Sequence, residues 1–366
     1  VCNFSPMCNR LMRDPVSGVE KITTLLGQHF DHVLQTALKY GGEPLFFVGD
    51  GLMVGWMGSQ DHAQSSVEQA VACAGELIET RSTRNDLDEL LSYHLIVSTG
   101  GCHIAELDGV RSSKMPSFYG DVFASFIRAS SNRAPDRVIV TNQALSHRPS
   151  DIQHSVGSGD ASILHEYPSV EPAGPIAEVE IPGPVEEKLS AFAPVTVNFP
   201  ISEEQLKWVS EIRPVSVLFV RSLVSSGDPV YQLEQLRKLA SMAVPLVRMH
   251  DGLINQIWID EKDANLYICF GPAPSAHVDN PARCVKLAID LHEQFESIGL
   301  PVRMGICTGK AYCGILGNNI LRQFTVIGDV VNLSARLAGL EENTIYCDRD
   351  TYAATSKEIH YSAPVD

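Results

Sequence analysis

Thr325-Val-Ile-Gly-Asp-Val-Val-Asn-Leu-Ser-Ala-Arg336 is the stretch from which the rest of the chain can be read. It opens as a β-branched run, Thr325 to Ile327, and turns at Gly328-Asp329. Val330, Leu333 and Leu337 then fall three and four apart, the spacing of a helix. Asp329 has the chemistry of a helix cap, since its carboxylate can accept a first-turn N–H. Asn332 and Arg336, four residues apart, share one face of that predicted helix. An amide and a guanidinium so stacked can enter one cleft, where the first orients a polar substrate and the second neutralises anionic oxygen. Taken alone, the pair reads more often as a solvated helix face, so the surrounding sequence has to decide.

At 366 residues the chain is long enough for two domains, each with its own core. A net charge of -16 argues against nucleic-acid polymers and anionic membranes as partners, but a small phosphate ligand needs only a few local cations or metal ions. The cysteines are scattered without a C-x-x-C pair, as expected of free thiols in a reducing compartment. No histidine pair has zinc-binding spacing. The sequence carries no signal-peptide pattern and no apolar run near the ~18–20 residues that cross a bilayer. The expectation is a soluble, cytoplasmic protein, or one held at a membrane by parts outside this sequence. Starting at Val1, the chain reads as cut rather than begun.

The chain repeats itself. Ser98-Thr99-Gly100-Gly101-Cys102 matches Cys307-Thr308-Gly309-Lys310-Ala311. Tyr119-Gly-Asp-Val122 and Arg128 match Ile327-Gly-Asp-Val330 and Arg336, and Val138-Ile-Val-Thr141 matches Thr344-Ile-Tyr-Cys347. A unit of about 150 residues, the size of one domain, is duplicated. Between the copies, residues 147–212 are broken by prolines and glycines and read as a part-ordered connection. The predicted domains are therefore 1–146 and 213–366. In the first, Pro44–Val48 and Leu52–Trp56 flank Gly49-Asp50-Gly51, a hairpin signal. In the second, Pro301–Cys307 is expected to turn back through Gly309-Lys310. Strands and helices alternate with hairpins interposed, so an α+β fold, helices over a largely antiparallel sheet, fits better than a doubly wound parallel one.

A duplicated α+β unit whose late strand runs into V-I-G-D-x-V-N-x-A-x-R resembles the class III nucleotidyl cyclases. The likeness is greatest to the soluble, bicarbonate-responsive adenylyl cyclases, which carry two cyclase homology domains in one chain. It covers essentially the whole sequence, weakly through residues 147–212. The resemblance implies two ferredoxin-like, palm-like domains paired head to tail within the molecule. It implies an adenylate cyclase that converts ATP to 3′,5′-cyclic AMP and pyrophosphate at the interface, assisted by two Mg²⁺ or Mn²⁺ ions.

Residue by residue, Asp50 matches one metal aspartate. Val1 to Ser5 looks like the tail of the motif carrying the other, which would precede Val1; Asn3, Phe4 and Ser5 would cradle phosphate. Arg221 stands at the second-domain metal position, so one productive site is expected. Arg336 takes the place of the transition-state stabiliser and Asn332 that of the ribose-orienting residue. Arg303 is a weaker candidate for electrostatic support. Thr325 and Gln256 match the base-reading pair, with Gln256 where lysine is usual. A glutamine amide both donates and accepts, so ATP is favoured with relaxed selectivity.

In the first-half counterpart Ala124 replaces the asparagine and Phe46 the lysine, which implies weak or no bicarbonate response. The supplied chain, lacking the first aspartate and a final Lys-Gly strand, is expected to be nearly inactive. Rival readings are a degenerate cyclase pair that binds nucleotide or a partner without turnover, and a guanylate cyclase.

Overall fold

The computed structural model describes residues 4–11, 18–58, 62–81, 92–110, 113–132, 134–147, 152–175, 182–192, 210–273 and 275–364. The first repeat runs α1 (Phe4–Leu11), α2 (Gly18–Lys39), β1 (Glu43–Val48), β2 (Gly51–Gly55), α3 (Ala63–Arg81), β3 (Leu95–Val97), β4 (His103–Asp108), β5 (Lys114–Tyr119), α4 (Asp121–Ala129), β6 (Val138–Thr141) and α5 (Asn142–Leu145). Then come β7 (His154–Val156), β8 (Ala161–Leu164), α6 (Gly183–Leu189) and a 3₁₀ turn at Ser190–Phe192. The second repeat runs β9 (Glu211–Leu223), α7 (Pro229–Met249), β10 (Leu253–Ile259), β11 (Asp263–Phe270), α8 (Asn280–Ser297), β12 (Val302–Gly317), β13 (Arg322–Ile327), α9 (Asp329–Leu337), β14 (Thr344–Cys347) and α10 (Arg349–Thr355). Among the described residues only β3–β6 and β12–β14 pair in parallel, so the fold is α+β with antiparallel-rich sheets.

The second repeat is one six-stranded sheet, β10-β11-β9-β12-β13, with β14 alongside β12. Its centre, β9, is buried on both sides. Val215, Val217 and Phe219 face one apolar cluster and Leu218 and Val220 the other, which explains their unbroken apolar run. β12 corrects the reading at Gly309-Lys310: the strand passes straight through to Gly317. The glycine there is a matter of close approach, since a Cβ on Gly309 would lie 2.7 Å from the Val330 side chain of α9. In the first repeat the matching Gly100 does break the strand, at φ +156, separating β3 from β4.

The first repeat's strands fall into three sheets, β1-β2, β3-β6-β8-β7 and β4-β5. The stretch read as a connection contributes β7 and β8, and β8 pairs with β6, burying Ala161 and Leu164. Gly174 N–H then donates to Lys39 C=O at 2.9 Å, tying the chain back to α2. The helix α2 ends as glycine pairs direct: Gly41 has φ +72, and Gly42 N–H donates to Ala37 C=O at 2.8 Å.

Each repeat grips the other with the hairpin that follows its long strand. The β4–β5 hairpin sends Ala105, Leu107 and Tyr119 into the core beneath α7 and β10, and Ser117 Oγ donates to Ile257 C=O at 2.9 Å. Reciprocally, Tyr312, Leu316 and Ile327 of β12–β13 pack with Ile22, Leu26, Phe30 and Phe47 of α2 and β1. Here α2 and β1 occupy the places that α7 and β10 occupy in the other copy, so the pairing is head to tail. Gln323 fastens it: its Oε1 accepts the Phe47 N–H at 2.9 Å and its Nε2 donates to the Phe47 C=O at 3.1 Å.

Gln323→Leu would leave both backbone groups of Phe47 without that partner in a half-dry interface. It is expected to lower the unfolding free energy by about 1–3 kcal/mol. The control Gln64→Leu, on the exposed face of α3, should stay within about 0.5 kcal/mol. Urea unfolding curves compare the two, and equal midpoints would show that the clamp contributes nothing.

Candidate active site between the repeats

The helix α9 is seated against β12 by the absence of a side chain. A Cβ on Gly305 would lie 2.1 Å from Ser334 O and 2.6 Å from Ala338 N, so only glycine lets the helix backbone come this close. Val330 and Ser334 are buried on the sheet side. Asn332 and Arg336 lie on the opposite, exposed face, as their spacing predicts. One detail differs: Gly328 occupies the cap position without a side-chain bond, and Asp329 is already inside the first turn. A carboxylate there still complements the positive helix end.

Asp50 sits in the two-residue turn between β1 and β2, where Val48 pairs with Gly51. The positive dihedral falls on Gly49, φ +57, rather than on the Asp50-Gly51 pair. Burial raises the carboxyl pKa of Asp50 above its ordinary 3.8, opposed by its own backbone N–H. Cys8 of α1 packs in one buried cluster with Phe47, three residues before Asp50, and Ile327, two residues before Asp329. The Cys8 thiol is pushed up to about 12, first by burial and then by the carboxylates of Asp50 and Asp329. Charge from both repeats is thus felt at one buried thiol. Nothing in the sequence pattern had singled out Cys8, because its role is a product of the fold.

The other sequence-predicted residues are distributed as follows. Asn3 lies outside the described residues, and Phe4 and Ser5 occupy the first positions of α1. Gln256 sits on β10 beside a bulge between Ile254 and Gln256, and it lines a cavity of about 300 Å³ between the repeats. Phe46, Met115 and Phe118 line the same cavity from the first repeat, and Trp258 and Phe324 from the second. Thr325 is 2% exposed and points away from it; its neighbours Gln323 and Phe324 reach the cavity instead. The structure therefore packs the flank of the Asp50 turn against the flank of α9 and puts Gln256 on the cavity, whose lining includes none of Asp50, Asn332, Arg336 and Thr325. Arg303 is engaged elsewhere, hydrogen-bonded to Asp263.

The first repeat's wall of the Gln256 cavity is aromatic. Phe46 stacks on Phe118 with ring centroids 4.7 Å apart. Arg128 donates to Ser125 Oγ at 3.0 Å and lies 3.7 Å from Glu261. Its cation is already engaged.

No family model matches the sequence. The sequence is nonetheless homologous to human adenylate cyclase type 10, with 24% identity over 94% of this chain, across both repeats. That alignment takes in 23% of the human protein, so the chain spans about a quarter of the length of the relatives it matches. Among solved structures, the guanylyl cyclase Cya2 matches 42% of this chain and 84% of its own, with 20% identity and a TM-score of 0.36. The adenylyl cyclase CyaB from P. aeruginosa matches 41% of this chain and 84% of its own, with 22% identity and a TM-score of 0.35.

A carboxyl whose pKa is raised on folding stabilises the folded form only while it is protonated in that form. For Asp50 that contribution is complete below 3.8 and is lost as pH rises through its raised folded value. At pH 7 the buried charge therefore opposes folding. Asp50→Asn is expected to raise the thermal midpoint at pH 7 and to gain little below pH 3.8. Melting curves at both pH values decide it, and a lower midpoint at pH 7 would contradict the burial argument.

Proposed function

We propose that the chain is the paired catalytic core of an adenylate cyclase, working in one of its two interdomain crevices. The observation that carries this reading is the shared cluster in which Phe47, three residues before Asp50, packs with Ile327, two residues before the helix bearing Asn332 and Arg336. Homology that runs through both repeats supports it. In the reaction the ribose 3′-oxygen attacks the α-phosphorus of ATP; the O3′–P bond forms, and the bond to the bridging oxygen breaks, leaving pyrophosphate with the electron pair.

Among the described residues no three His, Cys, Asp or Glu side chains gather into a metal cage. Of the two carboxylates felt at Cys8, Asp50 and Asp329, we assign the ion to Asp50. One carboxylate fits a magnesium-type ion, which takes one or two from the protein and completes its shell with phosphate oxygen and water. When bound, such an ion would screen the phosphates and acidify the attacking hydroxyl. Because burial strengthens Asp50's hold on its proton, metal and proton compete there, and affinity should rise with pH.

The remaining tasks fall to the chain itself. Asn332, exposed one turn before Arg336, orients the ribose. Arg336 meets the charge that builds on the α-phosphoryl oxygens, where a preorganised cation acts chiefly on the transition state. The first-turn N–H groups of α1, at Phe4 and Ser5 and preceded by Asn3, face the phosphate end. Gln256 reads the base from the cavity wall. Thr325, buried away from that cavity, favours the second reading: a cyclase homologue that holds nucleotide without turning it over. Relaxed choice between ATP and GTP follows from an amide that can present either polarity.

The intact protein should form cyclic AMP from ATP with magnesium or manganese, more readily than cyclic GMP from GTP. Arg336→Ala should reduce the rate by ~10²–10³-fold. Product assays with both nucleotides check this. An unchanged rate removes Arg336 from the chemistry, and nucleotide binding without product establishes the non-catalytic reading.

A further inference from the structure

At the second-domain metal position stands Arg221, near the end of β9, and the structure gives it a different task. Its Nη2 donates to the C=O of Ala335, in the last turn of α9, at 3.3 Å. The other carbonyls of that turn have backbone partners: Ser334 accepts Ala338 N–H at 3.0 Å, Arg336 accepts Gly339 N–H at 2.9 Å, and Leu337 accepts Leu340 N–H at 3.2 Å. The Ala335 carbonyl is the one skipped, and the guanidinium takes it. A cation is also the favoured charge at a helix C-terminus. Arg221 is itself held: Nη1 lies 4.0 Å from Asp263, and its guanidinium sits 5.5 Å from the centre of the Phe219 ring. Asp263 is 8% exposed and is shared with Arg303. The turn that carries it is fixed by Asp260, whose carboxylate accepts the Asp263 N–H at 2.9 Å.

The next residue after Ala335 is Arg336. Gly309 admits Val330 at the helix start and Gly305 admits Ser334 and Ala338 near its end, and to these contacts on β12 the guanidinium adds a side-chain bond from β9. We propose that Arg221 is a positioning residue for the cyclase reaction: by holding the Ala335 carbonyl it fixes the last turn of α9 and so aims Arg336. The residue replacing a metal ligand in this repeat thereby serves the productive crevice, in which it touches no substrate. The proposal rests on the function proposed above, because it assigns Arg221 its role through Arg336.

The test compares wild type, Arg221→Met and Arg221→Lys in the intact protein, measuring kcat and KM for ATP together with amide hydrogen exchange. R221M keeps the length of the side chain but removes its charge and donors; R221Q replaces it if R221M shows no cooperative melt. The expected result is a 10–100-fold fall in kcat with KM within threefold, and faster exchange at Ala338, Gly339 and Leu340. R221K, which keeps a cation, should recover at least a third of the lost activity. A purely structural role would lower the melting midpoint without the kcat-only loss and without rescue by lysine. Wild-type turnover with R221M at the wild-type kcat sinks this proposal alone. A wild type that binds ATP without forming product sinks the proposed function, and this proposal with it.

Discussion

The two repeats hold each other by exchanging hairpins, and the crevice with its chemistry exists only because of that exchange. The β4–β5 hairpin buries Leu107 and Tyr119 in the second repeat, while β12–β13 buries Tyr312 and Ile327 in the first. Gln323 then takes both backbone groups of Phe47, three residues before Asp50. The turn that carries the acid is thus registered against the strand that runs directly into α9. Without this contact Asp50 and Arg336 would belong to unrelated surfaces.

Duplication makes two such crevices, and the side chains have diverged to make them unequal. The second repeat carries the exposed Asn332–Arg336 face, and the first carries the half-buried Asp50. At the matching positions of the first repeat Arg128 is engaged by Ser125 and Glu261, while Phe46 and Phe118 stack in the wall of the Gln256 cavity. Arg221 supports α9 through Ala335.

Much of this architecture could be read from the residues. The helix face of Asn332 and Arg336 followed from a four-residue step, and the paired elements of the two halves from short matching motifs. What could not be read depended on partners far away in sequence. Gly309 looked like a turn because a glycine beside a lysine usually is one; its real constraint is the Val330 side chain pressing on the strand. Thr325 looked like a base reader, but it is 2% exposed and absent from the cavity wall, to which the same strand contributes Gln323 and Phe324. Cys8 and Gln323 carry no motif, and their importance appears only when the repeats are brought together.

The central claim is that Asp50 and Arg336, from different repeats, act as one site. Residues that work as a unit give strongly non-additive losses when removed together. The direct measurement is a double-mutant cycle on cyclic AMP formation with Asp50→Asn, Arg336→Ala and the combined variant. The account predicts that the combined variant is no slower than the slower single variant, within about threefold. Losses that simply multiply would place the two residues in independent sites and contradict it.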